Sequence, residues 1–325
     1  MDRERLIRYL SLLVIGVAAV LPFVLEANLY LLNVLILMLI FIIFSSSWNL
    51  LAYSGQGSLG HAAFFGIGGY ASTLIAVQSG LSPYVTIFLG GAIAAGIGVL
   101  IGLTCVRLKE WFLAMVTFGF AIIVQAITVS FLASLTGGWD GIASPRLVSS
   151  QVPGYILIEY YSILAITAGV ILLIYLIFKS KIGMAFLAIR ENEIEARVSG
   201  VDPVRYKLLA FAISAGLAGV AGALEIHYFG YITPEIYGID ISFWPIIYTI
   251  LGGLGTIAGP VVGTVVLTIL WDGLKVFGLT YERYIIIGAI LILSVIFLPK
   301  GLVSLPDKIA GWWKRRQKKS PDAGT

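Results

Sequence analysis

Residues 29–52 read LYLLNVLILMLIFIIFSSSWNLLA, with no charged side chain anywhere in the run. A helix needs roughly 20 apolar residues to cross a bilayer, so this stretch is long enough to span one. It leads directly into residues 54–70, SGQGSLGHAAFFGIGGY, where glycine is unusually dense for a helix. Outward from this pair the pattern repeats. Further apolar runs cover 10–25, 59–78, 85–106, 111–135, 160–178 and 208–229, followed by a glycine-interrupted zone over 241–271 and a last run over 284–298. The 325 residues are 59% hydrophobic and only 12% charged, with a mean hydropathy of +0.99. A soluble chain of this length carries about 25% charged residues. This one lacks the polar surface to live in water alone. Lipid leaves no open backbone satisfied, so each run is expected to be helical, and the absence of short alternating segments excludes an outer-membrane barrel. The fold class is therefore an all-α polytopic membrane protein.

Charge orients the chain. With the N-terminus in the cytoplasm, Arg3, Arg5 and Arg8, then Arg107 and Lys109, the loop 179–207 and the tail from Lys300 all fall inside. That places 18 of the 21 Lys and Arg on one side, leaving Arg146, Lys275 and Arg283 outside, as the positive-inside rule requires. Both termini inside means an even count, so eight to ten crossings are expected, with the glycine-rich segments broken or re-entrant. The division that follows is a cytoplasmic N-terminus (1–9), a first bundle (10–178), a cytoplasmic coupling loop (179–207), a second bundle (208–298) and a basic cytoplasmic tail (299–325). No small-residue cleavage pattern follows Leu25, so the first run reads as a retained anchor rather than a signal peptide. Trp48, Trp111, Tyr160, Tyr161, Trp244, Trp271, Trp312 and Trp313 lie near span ends, where amphipathic rings prefer the interface. The net charge of +4 is accounted for by this topology and does not point to nucleic acid.

Loop 179–207 reads KSKIGMAFLAIRENEIEARVSGVDPVRYK. Met184, Leu187, Ile194 and Val198 recur at helical spacing, with Arg190, Glu191, Glu193, Glu195 and Arg197 around them, which predicts a short amphipathic helix from Ile182 to Ser199. Gly200 suits the position after a helix end, Asp202 an N-cap and Pro203 the first turn of the next span. Such a helix is either an interfacial loop element or a peg for a cytoplasmic partner's groove.

The glycine-dense segments 54–70 and 252–263 are of the kind found where transporters break helices around a central site. Tight helix packing explains many of the glycines individually as well. Candidate path or gate residues are Gly57, Ser58, Gly60, His61, Gln125, Gly252, Gly253, Gly255 and Gly259. His61, Gln125 and Thr128 read first as interhelical hydrogen-bonding groups and second as path lining. Glu225 and His227, near the outer end of their span, read as exposed. No acidic or basic residue falls at a span centre, which argues against a proton- or sodium-coupled carrier working alone, and a static scaffold would not need such glycines. The outer loop Gly137-Gly138-Trp139-Asp140 is a connector or a contact for an external protein. One cysteine, Cys105, and two histidines, His61 and His227, build no metal site of familiar spacing, and no phosphate-binding G-x-x-x-x-G-K-[ST] loop is present. The chain is expected to have no ATPase site, and if transport uses ATP, the nucleotide and its Mg are handled on a different polypeptide.

Taken in order, several stretches are similar to one family. They are Trp48–Ala52 with Gly55–Gly68, Leu135–Ile142, Arg190–Glu193, Tyr206–Phe211, Gly252–Pro260 and Leu298–Leu302. Together they resemble the high-affinity branched-chain amino acid permeases of ABC importers, M-type subunit, over nearly the whole chain. The resemblance implies an inner- or plasma-membrane importer built with an H-type permease partner, two cytoplasmic ATPases and an extracytoplasmic solute-binding protein. It places Glu193, Glu195, Ala196 and Gly200 where the ATPase-contacting loop would be. Close relatives handle urea, short amides and aromatic acids, so an importer for urea, short amides or other amino acids is the alternative.

Overall fold

The computed structural model describes residues 16, 18–22, 28–108, 110–306 and 308. Most of the expected first run, the extreme N-terminus and most of the basic tail, with Trp312 and Trp313, lie outside them. Helix α1 runs Leu29–Tyr53, opened by the Asn28 carboxamide, which accepts from the Tyr30 and Leu31 amides. Then follow α2 (His61–Ser79), α3 (Pro83–Cys105), α4 (Glu110–Ala126, continuing through a π turn to Phe131) and α5 (Tyr155–Lys179). Two short helices, α6 (Lys181–Glu191) and α7 (Glu193–Val198), precede α8 (Pro203–Phe229), α9 (Ile239–Gly252), α10 (Ala258–Val276) and α11 (Glu282–Phe297). Among the described residues, six helices are long and apolar enough to cross a membrane: α1, α3, the α4 run from Trp111 to Phe131, α5, α8 and α10. The protein is a multi-pass helical membrane protein.

The bundle is built around α8. Lipid tails are as apolar as leucine, so helices in a bilayer associate through close packing, and small residues permit it. A Cβ on Gly68 of α2 would sit 2.2 Å from the Gly219 Cα of α8, and one on Gly222 would sit 1.9 Å from the Phe65 carbonyl oxygen. On α3, Gly91 and Gly98 meet Val220 and Ala215 of α8 in the same way. The 179–207 segment separates two runs of helices in the sequence, yet α8 packs against α1, α2 and α3 in one shared core.

Charge segregates to the two ends. Tyr53 stacks on Phe178 with ring centroids 3.9 Å apart, and Gly102 abuts Leu208, which brings Arg107, loop 179–207 and Lys300 to one basic end. The Tyr30 hydroxyl meets Asp272 at the other end, where Arg146, Lys275 and Arg283 lie.

Two passages through the bundle are incomplete as helices. Between α1 and α2, residues 54–60 are unwound at the basic end. Between α8 and α9, the opposite end is unwound instead, into a two-residue strand (Tyr231–Ile232) and a 3-10 turn (Pro234–Tyr237). The N-termini of the two partial helices meet inside the bundle, where the Ala62 amide donates to the Ser242 hydroxyl at 3.1 Å. The expected glycine-interrupted zone 241–271 resolves into α9 and α10 joined by a tight turn.

Three expectations are corrected by packing. Helix 182–199 is two helices, because Asn192 is extended (φ −159, ψ 108) and starts afresh by accepting from the Ile194 and Glu195 amides. His227 is fully buried, because α2, α3 and the loop after α4 close around it. Glu225 is only partly exposed. Trp48 and Tyr160 are core residues, 6% and 1% exposed, with their polar tips bonded to the Ser58 and Ala18 carbonyls.

The close α2–α8 approach predicts that Gly68→Val lowers the thermal unfolding temperature of the detergent-solubilised protein by several degrees. An overpacked core costs about 1–3 kcal/mol. Gly169→Ala, with nothing within 4 Å of its would-be Cβ, should leave that temperature unchanged or slightly higher.

Candidate functional site

Lipid cannot hydrogen-bond an unwound backbone, so segments 54–60 and 253–257 each need partners within the protein. Both find them on the last two turns of α1. The Trp48 indole N–H donates to the Ser58 carbonyl at 2.8 Å. The Asn49 carboxamide serves the other segment twice, donating to the Thr256 carbonyl and accepting from the Gly255 amide, both at 2.8 Å. Gln56 donates to Ser54 and to the Lys207 carbonyl, which ties the first segment to the start of α8. The Thr117 hydroxyl of α4 accepts from the Leu59 amide.

Arg190, near the end of α6, touches both segments. A Cβ on Gly55 would lie 3.2 Å from the Arg190 Cα, and one on Gly255 would lie 2.5 Å from a guanidinium nitrogen. Both glycines have positive φ, +80 and +76, just past the C-termini of α1 and α9. A cation there meets the negative ends of two helix dipoles, each worth about 0.3–1 kcal/mol when exposed. Sequence spacing alone did not connect Arg190 to the glycine segments; only the fold brings 55, 190 and 255 together.

The other expected path residues divide by what they touch. Ser58 is buried and its hydroxyl accepts from the Gly60 amide, while Gly60 lets segment 54–60 pass against the Thr117 carbonyl of α4. Gly57 has open space around it. Gly252 and Gly259 serve close packing, since a Cβ on either would strike the backbone of 259 or 253 at 1.8 and 2.1 Å. Gly253 has φ +138 and lies against Lys300 and Gly301, a left-handed position that glycine alone adopts without strain. Gln125 is elsewhere, donating to the Pro234 carbonyl at 2.9 Å beside the 3-10 turn. Thr128 donates to the Tyr237 hydroxyl.

His61 is fully buried at the start of α2, stacked on Phe44. Ser47 donates its one hydroxyl proton to the Phe44 carbonyl and so accepts from His61 Nε2 at 2.9 Å. That fixes the Nε2–H tautomer and leaves Nδ1 without a partner. The interhelical hydrogen-bonding role is the one the geometry gives. His227 makes a fuller hub. Its Nδ1 lies 2.6 Å from the Pro145 carbonyl, which only an N–H can satisfy, and its Nε2 lies 2.7 Å from the Ser72 hydroxyl and 3.3 Å from that of Thr86. It joins α8 and α2 to the loop after α4.

Around loop 179–207, Glu193 pairs with Lys207 at 2.6 Å and with Arg197 at 3.5 Å, while Glu195 accepts from Asn192 at 2.6 Å. Ala196 is buried, Glu191 is exposed, and Gly200 has φ +86 with Asp202 capping α8 beyond it. Phe186 and Ile189 anchor α6 inward, whereas Met184, Leu187, Ile194 and Val198 are exposed, Val198 at 85%. In the opposite-end loop, Gly137, Gly138 and Gly141 all have positive φ, Trp139 is 65% exposed, Asp140 is exposed, and Ile142–Ala143 pairs antiparallel with Tyr231–Ile232.

The sequence profile of the branched-chain amino acid transport system permease component matches residues 30–295. The chain belongs to that family. It is 27% identical to the LivM high-affinity branched-chain amino acid permease of Salmonella typhimurium over 91% of this chain and 74% of that one. With LivM of Escherichia coli it shares 28% identity over 83% of this chain and 69% of the relative. It is also 29% identical to the E. coli permease LivH, over 57% of this chain and 64% of LivH. No solved structure gives a significant match. The two unwound segments and loop 179–207 all lie inside the matched residues.

The Asn49 contacts predict that Asn49→Ala destabilises the protein by about 1–3 kcal/mol, the cost of leaving buried polar backbone unpaired. Amide exchange measured by mass spectrometry should rise in peptides covering 253–257 and stay unchanged in α5.

Proposed function

We propose that this permease forms half of an ATP-driven import path for branched-chain amino acids, with its basic end in the cytoplasm. Counting the run over residues 10–25, ten crossings place both termini on that side, in keeping with the segregation of charge. ATP and Mg belong to two separate cytoplasmic ATPases, a second permease of the LivH kind completes the path, and an extracytoplasmic protein delivers the solute. The outer loop Gly137-Gly138-Trp139-Asp140, with its exposed indole, is the part of the chain offered to that deliverer.

The observation that carries this reading is the contact of Arg190 with both unwound segments. Helices α6 and α7 present Met184, Leu187, Ile194 and Val198 outward, an apolar surface suited to a groove on a cytoplasmic partner, flanked by Glu191, Glu193 and Glu195. Phe186 and the Glu193–Lys207 pair fasten the same helices to the bundle. When the ATPases close, the two helices move with them, and Arg190 carries the displacement to segments 54–60 and 253–257. Gly57, Ser58, Gly60 and His61 on one side, and Gly252, Gly253, Gly255 and Gly259 on the other, then repack to open or close the path. A path with few fixed charges holds the solute weakly, so the delivering protein sets affinity.

Glu195→Lys, Gly200→Val and Arg190→Ala are expected to insert and fold yet lose most ATP-driven leucine uptake when the five components are reconstituted in liposomes. ATP hydrolysis should persist, uncoupled from transport. Uptake at the unsubstituted rate in all three variants would count against this mechanism.

A further inference from the structure

The 3-10 turn between α8 and α9 and the first turn of α9 carry one carboxylate each, Glu235 and Asp240, to a depth where lipid does not receive them. Gly252, the last residue of α9, is at the basic end beside Lys300 and Gly301. Asp240 is twelve residues earlier, roughly 18 Å up the helix at about 1.5 Å per residue, in a hydrocarbon layer about 30 Å thick. Its level is fixed independently by the Ala62–Ser242 hydrogen bond, since Ala62 is in the first turn of α2 against α1 and α8. The neighbouring 3-10 turn is held at a similar height by Gln125 of α4 and by Tyr237, whose ring lies over Gly66 and stacks on Tyr70 at 5.8 Å. Here Glu235 and Asp240 are both exposed, as are Ile239 and Phe243. Neither residue is at the centre of a span, since Glu235 precedes α9 and Asp240 is in its first turn.

The outward faces of other helices differ. Phe88, Ile93 and Leu100 on α3, and Leu172, Leu173 and Leu176 on α5, are exposed and apolar, as a lipid-facing surface should be. An ionised side chain inside a membrane protein faces the bundle interior, a water-filled cavity or a protein partner. We propose that the surface formed by the Pro234–Tyr237 turn and the first turn of α9 is the seam against the second permease, and that Glu235 and Asp240 border the aqueous path along it. The occupant is a second family permease because the chain resembles both LivM and LivH, two distinct permeases of one kind. The inference rests on the reading of the chain as half of a permease pair, and it adds which face does the pairing.

The test uses the complex purified with a tagged second permease. Benzoylphenylalanine is placed at Ile239 or, for comparison, at Leu172, and the sample is irradiated. An adduct with the second permease from Ile239 and none from Leu172 is expected. The reverse pattern, or an Ile239 adduct joining two copies of this chain, overturns the assignment. In a Cys105→Ser background, Asp240→Cys should react in intact membranes with a charged, water-soluble thiol reagent while Leu172→Cys does not. Asp240→Cys no more reactive than Leu172→Cys would remove the aqueous path from this face. Leucine uptake by the unsubstituted complex is recorded alongside. Its failure would count against the import reading and leave the cross-linking result to decide the face.

Discussion

The structure turns on the Asn49 carboxamide. A membrane helix satisfies its own backbone, and any unwound stretch must borrow donors and acceptors from side chains. One residue in α1 does this for the turn between α9 and α10, pairing with Gly255 and Thr256, while Trp48 beside it pairs with Ser58. Two breaks remote in sequence are thereby hung from adjacent residues of one rigid helix. A displacement of either is felt at the same place, and Arg190 lies against both.

Glycine has two uses here, and they bear differently on function. Gly68, Gly219 and Gly222 bring helix backbones into contact and make the α2–α8 pair stiff. Gly55, Gly253 and Gly255 hold positive φ, where a side chain would be strained, and make the breaks possible. A stiff interior with pliable turns at one end suits a molecule that rocks as a unit about a few hinges. The unwinding is opposite in sense for the two partial helices, α2 at the basic end and α9 at the other, and their N-termini meet at Ala62 and Ser242. Positive dipole ends are thus gathered inside the bundle, as in transporters built around discontinuous helices.

Much of the helical layout could be read from the sequence because lipid imposes one rule on every apolar run. The bounds of α1 and α3, the cap at Asp202 and the turn at Gly200 follow from local chemistry, whereas α5 starts at Tyr155, five residues before the expected run. The break at Asn192 was missed because apolar spacing continues across it, although an Asn that can cap the next helix was the available signal. His227 was misplaced because closeness to a span end says nothing about what folds over that end. Arg190 was legible as part of a charged helix, but its two glycine neighbours are 135 and 65 residues away in the chain.

The central claim is that the α6–α7 pair and the 253–257 turn move as one body. Spin labels at Ile194→Cys and Ile257→Cys, in a Cys105→Ser background, report the distance between them by pulsed dipolar spectroscopy. The full transporter would be trapped first without nucleotide and then with a non-hydrolysable ATP analogue. The account predicts that this distance holds while a second pair, Ile257→Cys with Leu103→Cys on α3, changes. A shift between Ile194 and Ile257 with the second pair unmoved would contradict it.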